Sequence, residues 1–147
     1  MPVHTFSNAD MQKIEGEIRK AVDSLIKGCE SLDMDLAFEI FWDSPDFRMI
    51  AMDGSLCNYQ TYLRNNIDYL TECLSFELTT LDDEIKILGP DLALYSWIYA
   101  VQATLKTGEC DVIEKAGATF VFRRLEDQWK VIYYHESTLP PQRSAGG

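Results

Sequence analysis

The chain has 147 residues, 46% of them hydrophobic, which is the size of one ordinary domain with enough apolar mass to bury a core. Its formal net charge of −11 is spread along nearly every segment and opposes nucleic acid and anionic membrane surfaces, both of which are held through Lys and Arg. No segment recurs, the apolar stretch 92–101 is far short of the roughly 20 residues of a membrane helix, and MPVHTFSNAD lacks the basic and apolar regions of a secretory signal.

The first twenty-odd residues carry the clearest helical pattern. Met11, Ile14, Ile18, Ala21, Val22, Leu25 and Cys29 recur at spacings of three and four, which places them on one face. Ser7 followed by Asp10 reads as an N-cap with an acid in the first turn, and Phe6 can staple onto Met11. His4 precedes this helix and is expected in solvent. A second, shorter helix is predicted over 33–42, capped by Asp33, with Leu36, Ala37, Ile40 and Phe41 facing inward. Ser44-Pro45-Asp46 then breaks the chain, because proline pushes the residue before it out of the helical region. A short strand is predicted over 47–52, ended by the Asp53-Gly54 turn.

Helical periodicity returns over 58–73, where Tyr59, Tyr62, Leu63, Asn66, Tyr69, Leu70 and Cys73 share a face. The rest is strand-like. Residues 76–88 are extended at both ends and polar in the middle; Gly89-Pro90-Asp91 turns the chain into 92–105, rich in Tyr, Trp, Ile and Val. Residues 116–125 and 128–138 form a final pair joined by Glu126-Asp127, at hairpin length. Pro140-Pro141 is expected to end regular structure, giving one domain over 1–140 and a mobile tail over 141–147. Helices segregated ahead of an antiparallel sheet indicate an α+β fold.

Cysteines 29, 57, 73 and 110 are scattered, with no C-x-x-C pair and no His-rich segment. They read as reduced thiols acting as small hydrophobes in a cytoplasmic protein, with neither metal nor cofactor expected.

Three phrases, DFRMIAMDG, the Gly89-Pro90-Asp91-Leu92-Ala93 turn into a strand, and GATFVFRRLEDQWKVIYYHESTLP, resemble the nuclear-transport-factor-2-like superfamily. Within it they are similar to the SnoaL-like and kinase-association-domain branches. The resemblance runs from about Ser7 to Pro140 and implies a cone: a strongly curved, mostly antiparallel sheet wrapped around N-terminal helices and enclosing a pocket. Such cones include isomerases, cyclases, dehydratases, hydrolases and non-catalytic binding or oligomerising domains, so fold alone does not choose among them.

Strand alternation sorts the last hairpin. With Glu126-Asp127 as a two-residue turn, Val131 lies opposite Phe122, Tyr133 opposite Phe120 and His135 opposite Ala118. The resemblance implies that the His-x-Ser face points into the cone, which makes His135 and Ser137 the inward polar pair. A bulge in the hairpin would reverse part of this sorting. An imidazole there could serve as general acid or base, since it titrates near neutrality, or could simply be one polar wall of a pocket. Asp46 is the candidate partner for His135, with a turn-capping role as the competing account. Trp42, Tyr62, Tyr95, Trp97, Tyr99, Phe120 and Tyr133 suggest an aromatic pocket, or a core and dimer face, and alternation leaves open which face Tyr95, Trp97 and Tyr99 take. In ketosteroid-isomerase-like relatives the proton-shuttling Asp stands three residues before a glycine matching Gly54. Here that position is Ala51, so the resemblance does not carry that base. Nor is the Asp-Arg-Asp set of epoxide-hydrolysing relatives evident, and Arg123 and Arg124 are expected to pair with Glu126 or Asp127.

The resulting expectation is a cone domain that binds a small, largely apolar organic molecule and forms a homodimer through its sheet face. A lyase, isomerase or cyclase using His135, and a pure oligomerisation or protein-association module, are the alternatives.

Overall fold

The computed structural model describes residues 7–145; the expectations for His4 and Phe6 lie outside them. Helix α1 (Asn8–Glu30) starts at a reciprocal cap: Ser7 Oγ accepts from the Asp10 amide at 3.1 Å while Asp10 Oδ2 accepts from the Ser7 amide at 3.3 Å. Its apolar stripe buries Ile14, Ile18, Val22, Leu25 and Cys29, as the spacing predicts. The helix stops where Leu32 adopts a left-handed conformation, and the Asp33 amide donates back to the Gly28 carbonyl. A Cβ on Gly28 would stand 2.3 Å from the amide nitrogen of Ala37, so glycine is what lets the next helix pack this closely.

Helix α2 (Met34–Phe38) is capped by Asp33, which accepts from the Leu36 amide. It ends four residues before the predicted boundary at Trp42. Phe41 instead bridges in parallel to Val131, with the Val131 amide donating to Ile40 O at 2.7 Å and the Trp42 amide to Val131 O at 3.0 Å. Strand pairing here overrides helix continuation. Strands β1 (Arg48–Ile50) and β2 (Leu56–Cys57) form a small antiparallel pair around Gly54, whose φ of 87° suits glycine. Helix α3 (Tyr59–Thr71) follows, capped by the Asn58 side chain.

Four long strands complete the sheet: β3 (Cys73–Gly89), β4 (Leu92–Leu105), β5 (Cys110–Leu125) and β6 (Gln128–Thr138). Their order is β2-β1-β6-β5-β4-β3, antiparallel except that β1 runs parallel to β6. This curved, unclosed mixed sheet with helices against one face is the α+β cone expected from the sequence. Strand β5 starts six residues earlier than predicted. Regular structure also resumes beyond the two prolines: β7 (Gln142–Ser144) pairs with residues 110–112 of β5, past the end of β6.

Glu126 and Asp127 both sit at positive φ, 50° and 64°, the tight two-residue turn whose twist matches its strands. The register runs as expected as far as Phe122 opposite Val131. There Ile132 is extra: Val121 faces Tyr133, Phe120 faces Tyr134 and Ala118 faces Glu136. One added residue reverses the facing of every side chain beyond it.

Candidate functional site

Tyr95, Trp97 and Tyr99 of β4, and Phe120 and Phe122 of β5, are buried on the sheet face that receives the helices. Tyr62, Phe41 and Phe47 meet them from the helical side, Phe41 and Tyr62 at 5.0 Å between ring centroids. Between α1, α3 and the sheet these rings leave a cavity of about 510 Å³, within the usual range for small-molecule sites. Exposed Met52, Pro141 and Arg143 stand at its rim.

Two carboxylates reach this cavity, at different levels of the sheet. Asp111, opposite Ala103, is fully engaged: Arg143 donates Nε to Oδ1 at 2.6 Å and a terminal guanidinium nitrogen to Oδ2 at 2.8 Å, and the Tyr69 hydroxyl donates to Oδ2 at 2.7 Å. The Arg143 guanidinium therefore holds the Asp111 carboxyl below the usual carboxylate range, against the effect of burial. In return, burial and the bond to Asp111 push the Tyr69 phenol upward.

Glu136, opposite Ala118, has no such partner. Among the described residues no basic side chain pairs with it, and the Tyr99 hydroxyl donates to Oε1 only at 3.5 Å. The Glu136 side chain is half-buried on the inner sheet face and opens on the cavity. Burial, slightly offset by the Tyr99 bond, pushes it up to about 7. Its neighbours respond in the same sense. Burial and the nearby Glu136 charge raise the phenols of Tyr62 and Tyr99, and burial raises the Cys29 thiol to about 12, which leaves it an inert thiol. Trp97 stacks on Tyr99 with ring centroids 4.3 Å apart and anchors its indole N–H on Thr80 Oγ1 at 2.9 Å.

Of the residues singled out from the sequence, Tyr62, Trp97 and Phe120 line the cavity, and so does Tyr99. Tyr95 is buried beside them but outside the lining; its hydroxyl donates to Asp83, which also takes Arg19, tying α1 to β3 and β4. Trp42 is half-buried against the core, away from the cavity. The inward placement expected for Tyr133, His135 and Ser137 is corrected. All three are exposed on the outer sheet face, because the Ile132 bulge turns Tyr134 and Glu136 inward in their stead. Asp46 is an exposed turn residue whose amide donates to Ser44 Oγ, and neither it nor His135 lines the cavity. Arg124 pairs with Asp91 at 2.8 Å rather than with Glu126 or Asp127. Ala51 is half-buried against the core outside the cavity lining. Glu136, Asp111 and Arg143 escaped sequence reasoning. The signal that could have found Glu136 is the short apolar run Val131-Ile132, where alternation cannot say which residue is extra.

Among the described residues no group of three His, Cys, Asp or Glu side chains could hold a metal ion, and no helix is long and apolar enough to cross a membrane. The architecture is similar to that of a hexachlorocyclohexane dehydrochlorinase of type 3 from Novosphingobium barchaimii (14% identity, 96% of this chain and 97% of that one, TM-score 0.76). It is similar as well to a nuclear transport factor 2-like superfamily protein from Salmonella enterica serovar Typhimurium (15% identity, 88% and 94%, TM-score 0.77). A candidate calcium/calmodulin-dependent protein kinase II association domain from Xanthomonas campestris superposes with a TM-score of 0.69 at 18% identity, over 84% and 86% of the two chains. No curated protein sequence matches the chain. At these identities the structures establish the nuclear-transport-factor-2-like fold, while the sequence itself matches a family over residues 16–140. The chain belongs to the calcium/calmodulin-dependent protein kinase II association domain family.

Proposed function

We propose that this domain binds a small, largely apolar organic molecule in the cavity between α1, α3 and the sheet. The observation that carries this reading is the cavity itself: about 510 Å³ walled largely by aromatic rings, with one carboxylate, Glu136, that no cation among the described residues neutralises. A cavity kept only by loose packing would be expected to be dry and wholly apolar. The test is calorimetric titration with small aromatic compounds on the wild type and on Val101→Trp, a substitution that fills the cavity from β4. Binding is expected to the wild type and to be lost in the variant. Binding that survives Val101→Trp lies on another surface and refutes the assignment.

A second role, assembly through the outer sheet face, is favoured by the family and by that face's composition. The aromatic residues Tyr95, Trp97 and Tyr99 do not serve it, since they face inward. Leu94, Ile98 and Val121 do lie on the side away from the helices, with exposed Tyr133 and Leu92 beside them. Sedimentation should give a dimer or larger assembly that Leu94→Glu dissociates. A wild type that sediments as a monomer at tens of micromolar would remove this role.

A further inference from the structure

We propose that the ligand is a hydrophobic organic ammonium ion, with its N–H groups donating to Glu136 and its apolar body lying against Trp97 and Phe120. This rests on the cavity reading above and specifies the chemistry of its occupant. Three observations converge on it. Among the described residues the cavity holds two carboxylates, and only one is free: Asp111 is enclosed by Arg143 and Tyr69 at 2.6–2.8 Å, whereas Glu136 has only the distant Tyr99 hydroxyl at 3.5 Å. Among the described residues the cavity's single cation is Arg143, which is committed to Asp111, so an anionic ligand meets no available positive charge there. Finally, ring systems share the cavity with Glu136, among them Tyr62 on α3, Trp97 and Tyr99 on β4, and Tyr134 on β6 itself, and the Tyr62 and Tyr99 phenols feel its charge. Aromatic faces carry negative potential and attract a cation within about 6 Å, more so when it is desolvated. The overall charge of −11 draws cations toward the molecule as well.

The volume limits the body of the ligand. A cavity of ~150 Å³ holds one benzene ring, so about 510 Å³ takes one or two rings and a short linker. The titratable groups that feel the Glu136 charge are Tyr62 from α3 and Tyr99 from β4, while Cys29 from α1, Asp111 and Arg143 line other parts of the same cavity. None of these supplies a positive charge to Glu136 near neutrality. Burial raises Glu136 to about 7, so some of the free protein carries a proton there near neutral pH. An arriving ammonium ion favours the ionised form, so its binding releases protons; a neutral ligand's does not.

The experiment is calorimetric titration of the full chain with benzylamine, benzyl alcohol and benzoate and with their naphthyl counterparts, in buffers of differing ionisation enthalpy. The amines should bind about tenfold or more tightly than the alcohols, the worth of one charge-assisted hydrogen bond. They should release protons on binding near neutral pH, and the carboxylates should not bind. Glu136→Gln should bring the amines down to the affinity of the alcohols without proton release, and Glu136→Asp should retain the preference. Equal binding of amine and alcohol, preference for the carboxylate, or an amine preference surviving Glu136→Gln overturns the ammonium assignment and leaves the cavity reading standing. If the wild type binds no member of the set, both fall.

Discussion

The Glu136→Gln substitution makes a prediction about stability that needs no ligand. Burial raises this carboxyl from its ordinary 4.5 to about 7 in the folded protein. Below pH 4.5 the folded and unfolded chains both hold the proton, and the site adds no penalty. Between 4.5 and about 7 the unfolded chain loses its proton while the native one keeps it, so stability falls as pH rises; above about 7 the penalty is constant. Each tenfold change in proton affinity is worth about 1.4 kcal/mol, so the full penalty is at most about 3.5 kcal/mol. Water in the open cavity reduces it, and a measured value of about 1–3 kcal/mol is expected. Glutamine keeps the shape and an acceptor for Tyr99 but never ionises. Urea unfolding of both proteins near pH 5 and near pH 8 reads the effect. Part of the penalty is already present at pH 5, so the advantage of Gln over Glu should be larger at the higher pH by about 1–2.5 kcal/mol, or several degrees in melting temperature for a chain of this length. An advantage that is the same at both pH values, or larger at the lower one, would show that Glu136 is solvated like a surface carboxylate and refute the reasoning.

Three further substitutions probe other parts of the structure. Gly28→Ala places a Cβ against the backbone of α2 and should cost about 1–3 kcal/mol or more in unfolding free energy, a compatible helix former notwithstanding; a neutral outcome would mean that α2 shifts freely. Trp129→Phe removes the indole N–H donated to Glu17 Oε2 at 2.7 Å, the tie between β6 and α1, and should lower stability by about 1–2 kcal/mol. His135→Ala, on the exposed outer face, should change monomer stability by no more than about 0.5 kcal/mol and leave calorimetric binding in the cavity unaltered. A loss of ligand affinity in that variant would contradict the placement of His135.

What the sequence made legible follows from where local chemistry decides structure. The Ser7/Asp10 cap and the 3.6-residue apolar stripe from Ile14 to Cys29 are read from neighbours on one helix, and α1 forms where they point. Likewise, Glu126-Asp127 occurs as a two-residue turn, and the family phrases mark the fold. Pairing decided by distant residues was not legible. Residues 39–42 leave the helix because Val131, far along the chain, offers a parallel bridge. Gln142–Ser144 becomes a strand because residues 110–112 extend past the end of β6 and accept it, which brings Arg143 onto Asp111. The polar middle of β3 stays in the sheet because Asp83 is satisfied by Arg19 and Tyr95, and a register shift near Leu81 absorbs the irregularity.

The Ile132 bulge has the largest chemical consequence of these. Unbulged, β6 would present an imidazole and a hydroxyl to the aromatic cavity, groups that can sit there uncharged. Bulged, it presents a carboxylate, whose ionised form is costly in such surroundings unless a cation or several donors compensate. The same cavity contains the compensated case: Asp111 lies among donors at 2.6–2.8 Å and is held below the usual carboxylate range. Glu136 lies among rings, with one donor at 3.5 Å, and is raised to about 7. Replacing it by glutamine would remove the cost without changing the packing, so a carboxylate at this position is poorly explained by folding. A ligand that supplies the missing positive charge relieves the cost at the moment of binding, and that ties the destabilising residue to the selectivity of the site.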